Sequence, residues 1–507
     1  MKILTAEQIR ALDQCSMKRE PITSLDLMER AATRLVEALR PKLSVKRPVV
    51  VVSGSGNNGG DGLVIARKLR QQGHSVTAIF IELGSLSDDC AFNGRRLSAL
   101  LEPAERLSLR EGDAWPDIPA DAVLVDALFG SGLNRPAQNW VGYIIDSMNQ
   151  HPGLRIAVDI PSGLFADSGA PQPGSVFRAH RTYTFQLPKK CFLWKETQNY
   201  LGHWQVIDIG LHPECLREFD THEHMLSRKD LQAVYRPRSR FSHKGHYGHA
   251  LLIGGNPGKA GALVMAVEAC LRGGAGLTSA IGSRAAAQAL GRLPEAMLAD
   301  RGEQAFIQDL PDDLDSFQAV GIGPGLGRSA ASYALMEDLL SRYRRPLVLD
   351  ADALNILAEK PKLLDKLPPG SILTPHPGEW KRLLGGHLPP STPEVLQKID
   401  AFVQRRSCVA LYKVAFTVIV CPDGRRLYNT TGHPGMATGG MGDVLCGLLT
   451  ALLAQGYPPE EAACLGVWLH GQAADLALDQ QSHESLLPGD VIQHLGRAFR
   501  SVAPDAH

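Results

Sequence analysis

Thr438-Gly439-Gly440-Met441-Gly442-Asp443-Val444-Leu445 is the stretch on which the reading of this chain turns. Three glycines and an aspartate stand directly before an apolar run, residues 444–453, whose length and composition predict a helix. Glycines let the backbone turn its N–H groups inward and let a phosphate come close. The helix behind them adds the partial positive charge of its N-terminus. Such a loop binds an anion. A carboxylate at its edge should repel a phosphate. Asp443 makes sense there if the phosphate is being transferred and Asp443 takes the proton from the receiving hydroxyl. The helix N-terminus favours its ionised form. The bland alternative is a helix-capping Asp in a Gly-rich turn.

Around this stretch, apolar runs alternate with helical patterns. Residues 250–253, 319–322, 347–350, 371–374, 409–413 and 416–420 predict strands, and residues 261–272 a helix. The first half has the same grammar. Strands are predicted at 48–53, 76–82, 122–126, 155–159, 182–185 and 204–209, with helices at 5–15, 23–39 and 61–72. Continuous β-branched runs separated by helices mean a mostly parallel sheet covered on both faces. The fold class is α/β. A polar stretch at 211–241 separates two expected domains, residues 1–215 and 225–500, and no sequence repeat relates them.

Composition agrees with this division. A chain of 507 residues is too long for one typical domain. Its formal net charge of zero gives no electrostatic case for nucleic acid or an anionic membrane. Nine cysteines without a CxxC pair suggest a reducing compartment. The first residues lack the apolar core of a signal peptide, and no apolar run reaches the length of about 18 residues that a membrane span needs. A cytoplasmic chain is expected.

The first half carries its own glycine loop, Gly54-Ser55-Gly56-Asn57-Asn58-Gly59-Gly60-Asp61-Gly62. It satisfies GxGxxG between a strand and a helix, and Glu82 ends the next strand, where a dinucleotide fold places its ribose carboxylate. That motif alone is weak. Two Asn side chains and an Asp make the loop more polar than a pyrophosphate turn needs. Two further strands end in carboxylates, at Asp126 (Val125-Asp126-Ala127-Leu128-Phe129-Gly130-Ser131-Gly132-Leu133) and at Asp159 (Val158-Asp159-Ile160-Pro161-Ser162-Gly163). Ligands of a parallel sheet sit beyond the carboxyl ends of its strands, so Asn58, Asp126, Asp159 and Ser162 can converge. Helix capping by Asp and Ser is the alternative.

Together GNNGGDG, VDALFGSGL and VDIPSGL resemble the NAD(P)H-hydrate epimerase domain, a Rossmann-like three-layer sandwich. The resemblance implies substrate contacts at Asn57, Asn58, Gly59, Gly60 and Asp61, at Gly130, Ser131, Gly132, Leu133, Asn134, Arg135 and Pro136, and at Asp159. It implies a potassium ion on Asn58, Asp126 and Ser162, whose oxygen-only ligation suits a hard cation. Asp159 is the acid–base candidate. Where the family usually has Pro-Lys-Pro-Gly, this chain has Pro188-Lys189-Lys190-Cys191.

The opening stretch, with Asn429-Thr430-Thr431-Gly432-His433-Pro434-Gly435-Met436-Ala437 before it, is similar to the ribokinase-like superfamily and, within it, to the NAD(P)H-hydrate dehydratases. Met441 and Cys446 replace the usual Ser and Ala, and neither change removes a backbone donor. A ribokinase-like three-layer sandwich follows for the second half. The resemblance implies substrate contacts at Ala262, Gly325, His376 and Asp443, and nucleotide contacts at Lys413, Val414, Ala415, Phe416, Thr417 and Gly442. Asp350 and Asp352 of the DADALN string orient water, magnesium or loops. The implied pair of reactions is epimerisation of R- and S-NADHX and NADPHX, and dehydration of the S form with ADP, Mg2+ assisting, to give AMP and phosphate. Partners are small molecules and, it is expected, a second copy of the chain. The alternatives are a small-molecule kinase fused to a Rossmann-like binding domain, and a non-enzymatic interaction module in the first half.

Overall fold

The structure is a computed structural model that describes residues 1–170, 173–299, 307 and 309–503. The chain divides into two compact units, one of residues 2–221 and the other of Met1 with residues 222–507.

The first unit is built on seven strands: β1 (Val49–Ser53), β2 (Val76–Ile81), β3 (Arg106–Leu109), β4 (Val123–Ala127), β5 (Arg155–Val158), β6 (Arg181–Phe185) and β7 (His203–Ile207). Their order is β3-β2-β1-β4-β5-β6-β7, and every pairing is parallel. Strand β1 shows why. Val49 and Val51 face one buried cluster with helices Ser24–Leu39 and Asn57–Gln71, while Val50 and Val52 face another with helix Asn139–Asn149. A valine run buried on both faces suits only the middle of a sandwich. Strand order reverses between β1 and β4, which opens a crevice at their carboxyl ends.

The second unit repeats the device with β8 (Glu223–Met225), β9 (His249–Ile253), β10 (Leu277–Ile281), β11 (Met297–Leu298), β12 (Ala319–Ile322), β13 (Leu347–Leu349), β14 (Ile372–Leu373), β15 (Val409–Tyr412), β16 (Val418–Val420) and β17 (Arg426–Tyr428). The order is β11-β10-β9-β12-β13-β14-β15-β16-β17-β8, antiparallel only at the β15–β16 and β16–β17 pairs. Its reversal lies between β9 and β12. Helices Ala260–Arg272, Met441–Ala454, Pro459–Ala477 and Pro488–Val502 contribute to one continuous buried cluster on this sheet.

The structure adds detail to three expectations. The division between the units falls within the polar stretch, after residue 221, and the stretch is itself structured. Helix Pro213–Glu218 belongs to the first unit, and β8 already pairs with β17 in the second. Strands β3, β8, β10, β11 and β17 escape the hydrophobic pattern because they are short or carry polar residues. The cysteines are not all free thiols. Cys15 and Cys215 form a disulfide, with Cα atoms 5.9 Å apart, and the other seven are buried and free. Among the described residues no helix is long and apolar enough to cross a membrane.

Candidate active sites

In the first unit a cleft of about 750 Å³ opens at the carboxyl ends of β1, β4 and β5. Asn57, Asn58 and Asp61 line it from the first turns of helix Asn57–Gln71. Gly130, Ser131, Gly132, Leu133 and Asn134 line it from the loop after β4, and Asp159 from the residue after β5. Gly59, Gly60, Arg135 and Pro136 do not line it. Gly59 and Gly60 serve packing: a Cβ on Gly59 would lie 1.8 Å from the Gly54 carbonyl oxygen, and one on Gly60 would strike Met28. The dinucleotide reading of Glu82 has no support. Its carboxylate accepts from Ser108 Oγ at 2.7 Å and Arg110 Nε at 2.9 Å at the sheet edge.

Asn58, Asp126 and Ser162 come together around the Phe129 backbone. Asn58 Nδ2 donates to the Phe129 oxygen at 2.8 Å and to the Val158 oxygen at 3.3 Å, which leaves Asn58 Oδ1 buried without a partner. Ser162 Oγ accepts from Phe129 N at 2.9 Å and donates to Asp126 Oδ1 at 2.6 Å. Asp126 also accepts from Ser162 N at 2.8 Å and Leu128 N at 3.1 Å. Burial pushes its carboxyl up to about 6 against these bonds. A fully buried carboxylate and an orphaned amide oxygen, beside hydroxyl and carbonyl oxygens, are oxygens of the kind that could hold a hard cation.

Asp159 adopts φ +64°, the left-handed region that few residues other than glycine occupy. Tyr183 oxygen accepts from its N–H at 2.7 Å and holds the turn. Its Oδ1 lies 2.8 Å from Lys189 Nζ and accepts from Thr184 Oγ1 at 3.2 Å. The Lys189 side chain is only 1% exposed and also donates to Thr184 Oγ1 at 3.0 Å. The sequence left Lys189 without a role; here it is the buried counter-ion of Asp159. Asp13, on helix Ala6–Arg19, also lines this cleft and escaped the sequence reading. Burial pushes its carboxyl up to about 7, Lys189 pulling it down and Asp159 adding to the rise.

In the second unit the opening stretch forms a turn into helix Met441–Ala454. Gly440 takes φ +97°, and a Cβ there would meet Met265 and Pro488 at 2.8 Å, so only glycine fits. Gly440 is the N-cap, and no side chain caps the helix. Asp443 is thus the third helical residue rather than a cap. Its carboxyl does not follow the helix-terminus expectation. Burial raises it to about 7, and Asp350 adds to the rise against Lys413.

Lys413 Nζ lies 3.3 Å from Asp350 Oδ1, which also accepts from Thr374 Oγ1 at 2.6 Å. The position of a Cβ on Gly442 would be 3.2 Å from Asp350 Oδ2 and 3.6 Å from Lys413 Nζ, so loop, lysine and aspartate meet. Val414, Ala415, Phe416 and Thr417 form the turn from β15 to β16 beside Lys413. His376 caps helix Pro377–Leu383, its side chain half exposed, and its imidazole is held low by burial and by Lys413. Its neighbour Glu379 is buried and pushed up to about 7.

Gly325 and Ala262 face each other across the crevice between β9 and β12. A Cβ on Gly325 would lie 3.3 Å from that of Ala262 and 2.6 Å from the Lys259 oxygen. Lys259 Nζ pairs with Asp352 Oδ2 at 2.9 Å, which also accepts from Gly327 N at 2.8 Å. Asp352 and Asp350 both act on Asp443, so the predicted residues gather at one end of the sheet.

These two sites define a class: an enzyme with a Rossmann-like unit followed by a ribokinase-like one. Family models match both, "YjeF-related protein N-terminus" over residues 24–191 and "NAD(P)H-hydrate dehydratase" over residues 250–497. The bifunctional NAD(P)H-hydrate repair enzyme of Moorella thermoacetica is 34% identical over 99% of this chain and 97% of its own. That of Escherichia coli is 36% identical over 96% and 91%. Among solved structures, the ADP/ATP-dependent NAD(P)H-hydrate dehydratase of Bacillus subtilis is 28% identical, covers 55% of this chain and 98% of its own, and gives a TM-score of 0.47. The chain belongs to the bifunctional NAD(P)H-hydrate repair enzyme family.

Proposed function

We propose that this chain repairs hydrated nicotinamide nucleotides at two sites. The first unit interconverts the R and S epimers of NADHX and NADPHX. The second dehydrates the S form with ADP, releasing AMP and phosphate. The observation that carries this reading is the placement of Asp443 in the first turn of the helix behind the glycine loop, beside the Lys413–Asp350 pair.

The hydrate carries a hydroxyl at C6 of the nicotinamide ring, and hydroxide leaves poorly. Phosphorylation turns it into phosphate, which the ring nitrogen's lone pair expels. Asp443 takes the hydroxyl proton as the oxygen–phosphorus bond forms. A carboxyl near 7 is a stronger base than an ordinary one and is still partly ionised at neutral pH. The N–H groups of Gly439 to Gly442 and Lys413 receive the nucleotide phosphates. His376, Ala262 and Gly325 shape the substrate side. Magnesium lacks a dedicated oxygen cage here, because Lys413 and Thr374 engage Asp350 while Lys259 and Gly327 engage Asp352. No step is assigned to it.

Potassium fits the first unit, held by Asn58 Oδ1, Asp126 and Ser162, where it would fix the loops that carry Asn57 and Gly130 to Asn134. Asp126→Ala should weaken potassium dependence and epimerisation and leave the second unit's reaction alone. Epimerisation unchanged from the wild type in that variant, both with and without potassium, removes the proposed ion.

The deciding experiment supplies acid-generated NADH hydrate and ADP to the full chain and follows absorbance of regenerated NADH. Consumption of both epimers with stoichiometric AMP is expected. Phosphorylation of an added alcohol with no NADH formed would instead make the second unit a small-molecule kinase.

A further inference from the structure

The cleft of the first unit holds more acid than the roles assigned so far use. Asp13, Asp61 and Asp159 all line it, with one buried ammonium, Lys189. Asp159 takes that ammonium at 2.8 Å. Asp61 stands on helix Asn57–Gln71, on the wall formed by the strand ends. Asp13 stands on helix Ala6–Arg19, a different wall, among Leu12, Met17, Leu27 and Met28. That helix is fixed in place by the Cys15–Cys215 disulfide and by salt bridges from Arg19 to Glu214 and Glu218. Asp13 therefore stands, half-buried, on a tethered helix at the wall of the cleft.

Epimerisation moves a hydroxyl from one face of a ring carbon to the other. A group on one wall serves only one face. We propose that Asp13 is the second acid–base residue of the epimerisation, acting on the ring face opposite to the one served by Asp159. This rests on the epimerase reading of the first unit.

The step balances as follows. Neutral Asp13 gives its proton to the C6 hydroxyl. The C6–O bond breaks with its electron pair on oxygen, which leaves as water, and the N1 lone pair forms the N1=C6 bond of an iminium. A water on the other face adds to C6, and the π pair returns to N1. The Asp159 carboxylate takes the proton the water loses. Solvent restores the proton to Asp13 and removes it from Asp159. The reverse direction exchanges the two roles.

The charges support this arrangement. Three carboxyls against the Lys189 ammonium and the Arg10 guanidinium still leave one negative charge in excess if all ionise. Burial therefore holds a proton on Asp13, pushing it up to about 7, and raises Asp61 as well. The groups facing Asp13 are Lys189 and Asp159 from the sheet side, Asp61 from its helix, and Arg10 one turn away.

The test uses the full chain, the R,S mixture of NADHX, saturating potassium and ADP. The S epimer drains in a fast phase, and the R epimer in a slow phase limited by epimerisation. Asp13→Asn should lower kcat of the slow phase by about 10²-fold or more. KM and the fast phase should stay unchanged, and the pH limb near neutrality should disappear. Asp13→Glu should restore part of the slow phase. A slow phase of wild-type rate and wild-type pH profile in Asp13→Asn overturns the proposal. If Asp13→Asn fails to fold, Asp13→Glu decides: a shifted pH limb supports the assignment, and an unshifted one overturns it. Failure of the epimerase reading itself looks different, since the wild-type chain would then leave the R epimer to drain at the rate seen without enzyme.

Discussion

The two sites are made from the same charges and differ in one freedom. Each has a lysine paired with an aspartate, and each has a second aspartate raised to about 7 by burial. In the first unit the lysine is sealed in: Lys189 is 1% exposed and 2.8 Å from its partner. In the second, Lys413 is 21% exposed and 3.3 Å from its partner. A sealed ammonium cannot leave its carboxylate, so it fixes the charge of the cleft and positions Asp159. A reachable ammonium can swing toward an arriving phosphate. One charge pattern thus serves proton transfer in one place and anion capture in the other, and accessibility decides which.

Asp443→Asn gives the largest expected effect. It keeps size and loop geometry and cannot accept a proton, so ADP-driven dehydration should fall by about 10²–10⁴-fold. Nucleotide binding and epimerisation should persist. A normal single-turnover rate would refute the base assignment.

The lysines separate next. Lys189→Met strands Asp159 in a buried site and should destabilise the first unit by about 3–5 kcal/mol, seen as an early unfolding transition. Lys413→Met should cost less stability, because Asp350 keeps Thr374. It should raise the nucleotide KM by about 10- to 100-fold, the worth of one charge-assisted hydrogen bond. Equal melting of both variants breaks the comparison.

The last effect is a linkage. Asp443 holds its proton more tightly when folded, at about 7 against the usual 3.8 of an aspartate. The folded state therefore binds more protons across that window, and stability falls as pH rises from about 4 to 7, then levels off. Asp443→Asn removes this slope. The variant should melt higher than the wild type at pH 8, and their difference should shrink on acidification to pH 4. A pH-independent difference speaks against the raised carboxyl.

Much of this was legible in residues that act through local backbone. Val49 to Ser53 has the valine run of a doubly covered strand, and the glycines before Asp443 announce an anion-binding turn. Asn58, Asp126 and Ser162 each follow or end a strand, so the parallel-sheet rule brings them together. Pairings made across the fold were not legible. Lys189 meets Asp159 because the chain turns left-handed at residue 159, and no local pattern encodes that turn. Asp13 sits in a helix whose sequence looks like any amphipathic surface helix, and only the cleft beside it gives it a role. The rise of Asp443 comes first from burial and then from Asp350, 93 positions away in the chain. The disulfide joins cysteines separated by 200 residues without a spacing signature.

That disulfide has a practical consequence. It closes a covalent ring around nearly the whole first unit, so a single protease nick between residues 15 and 215 releases no fragment. The nicked chain keeps its mass on a gel run without thiol and falls into pieces only on reduction. A limited digest of this protein reports its weak points when the two lanes are read side by side, and the bands that appear only in the reduced lane map the cuts made inside the ring.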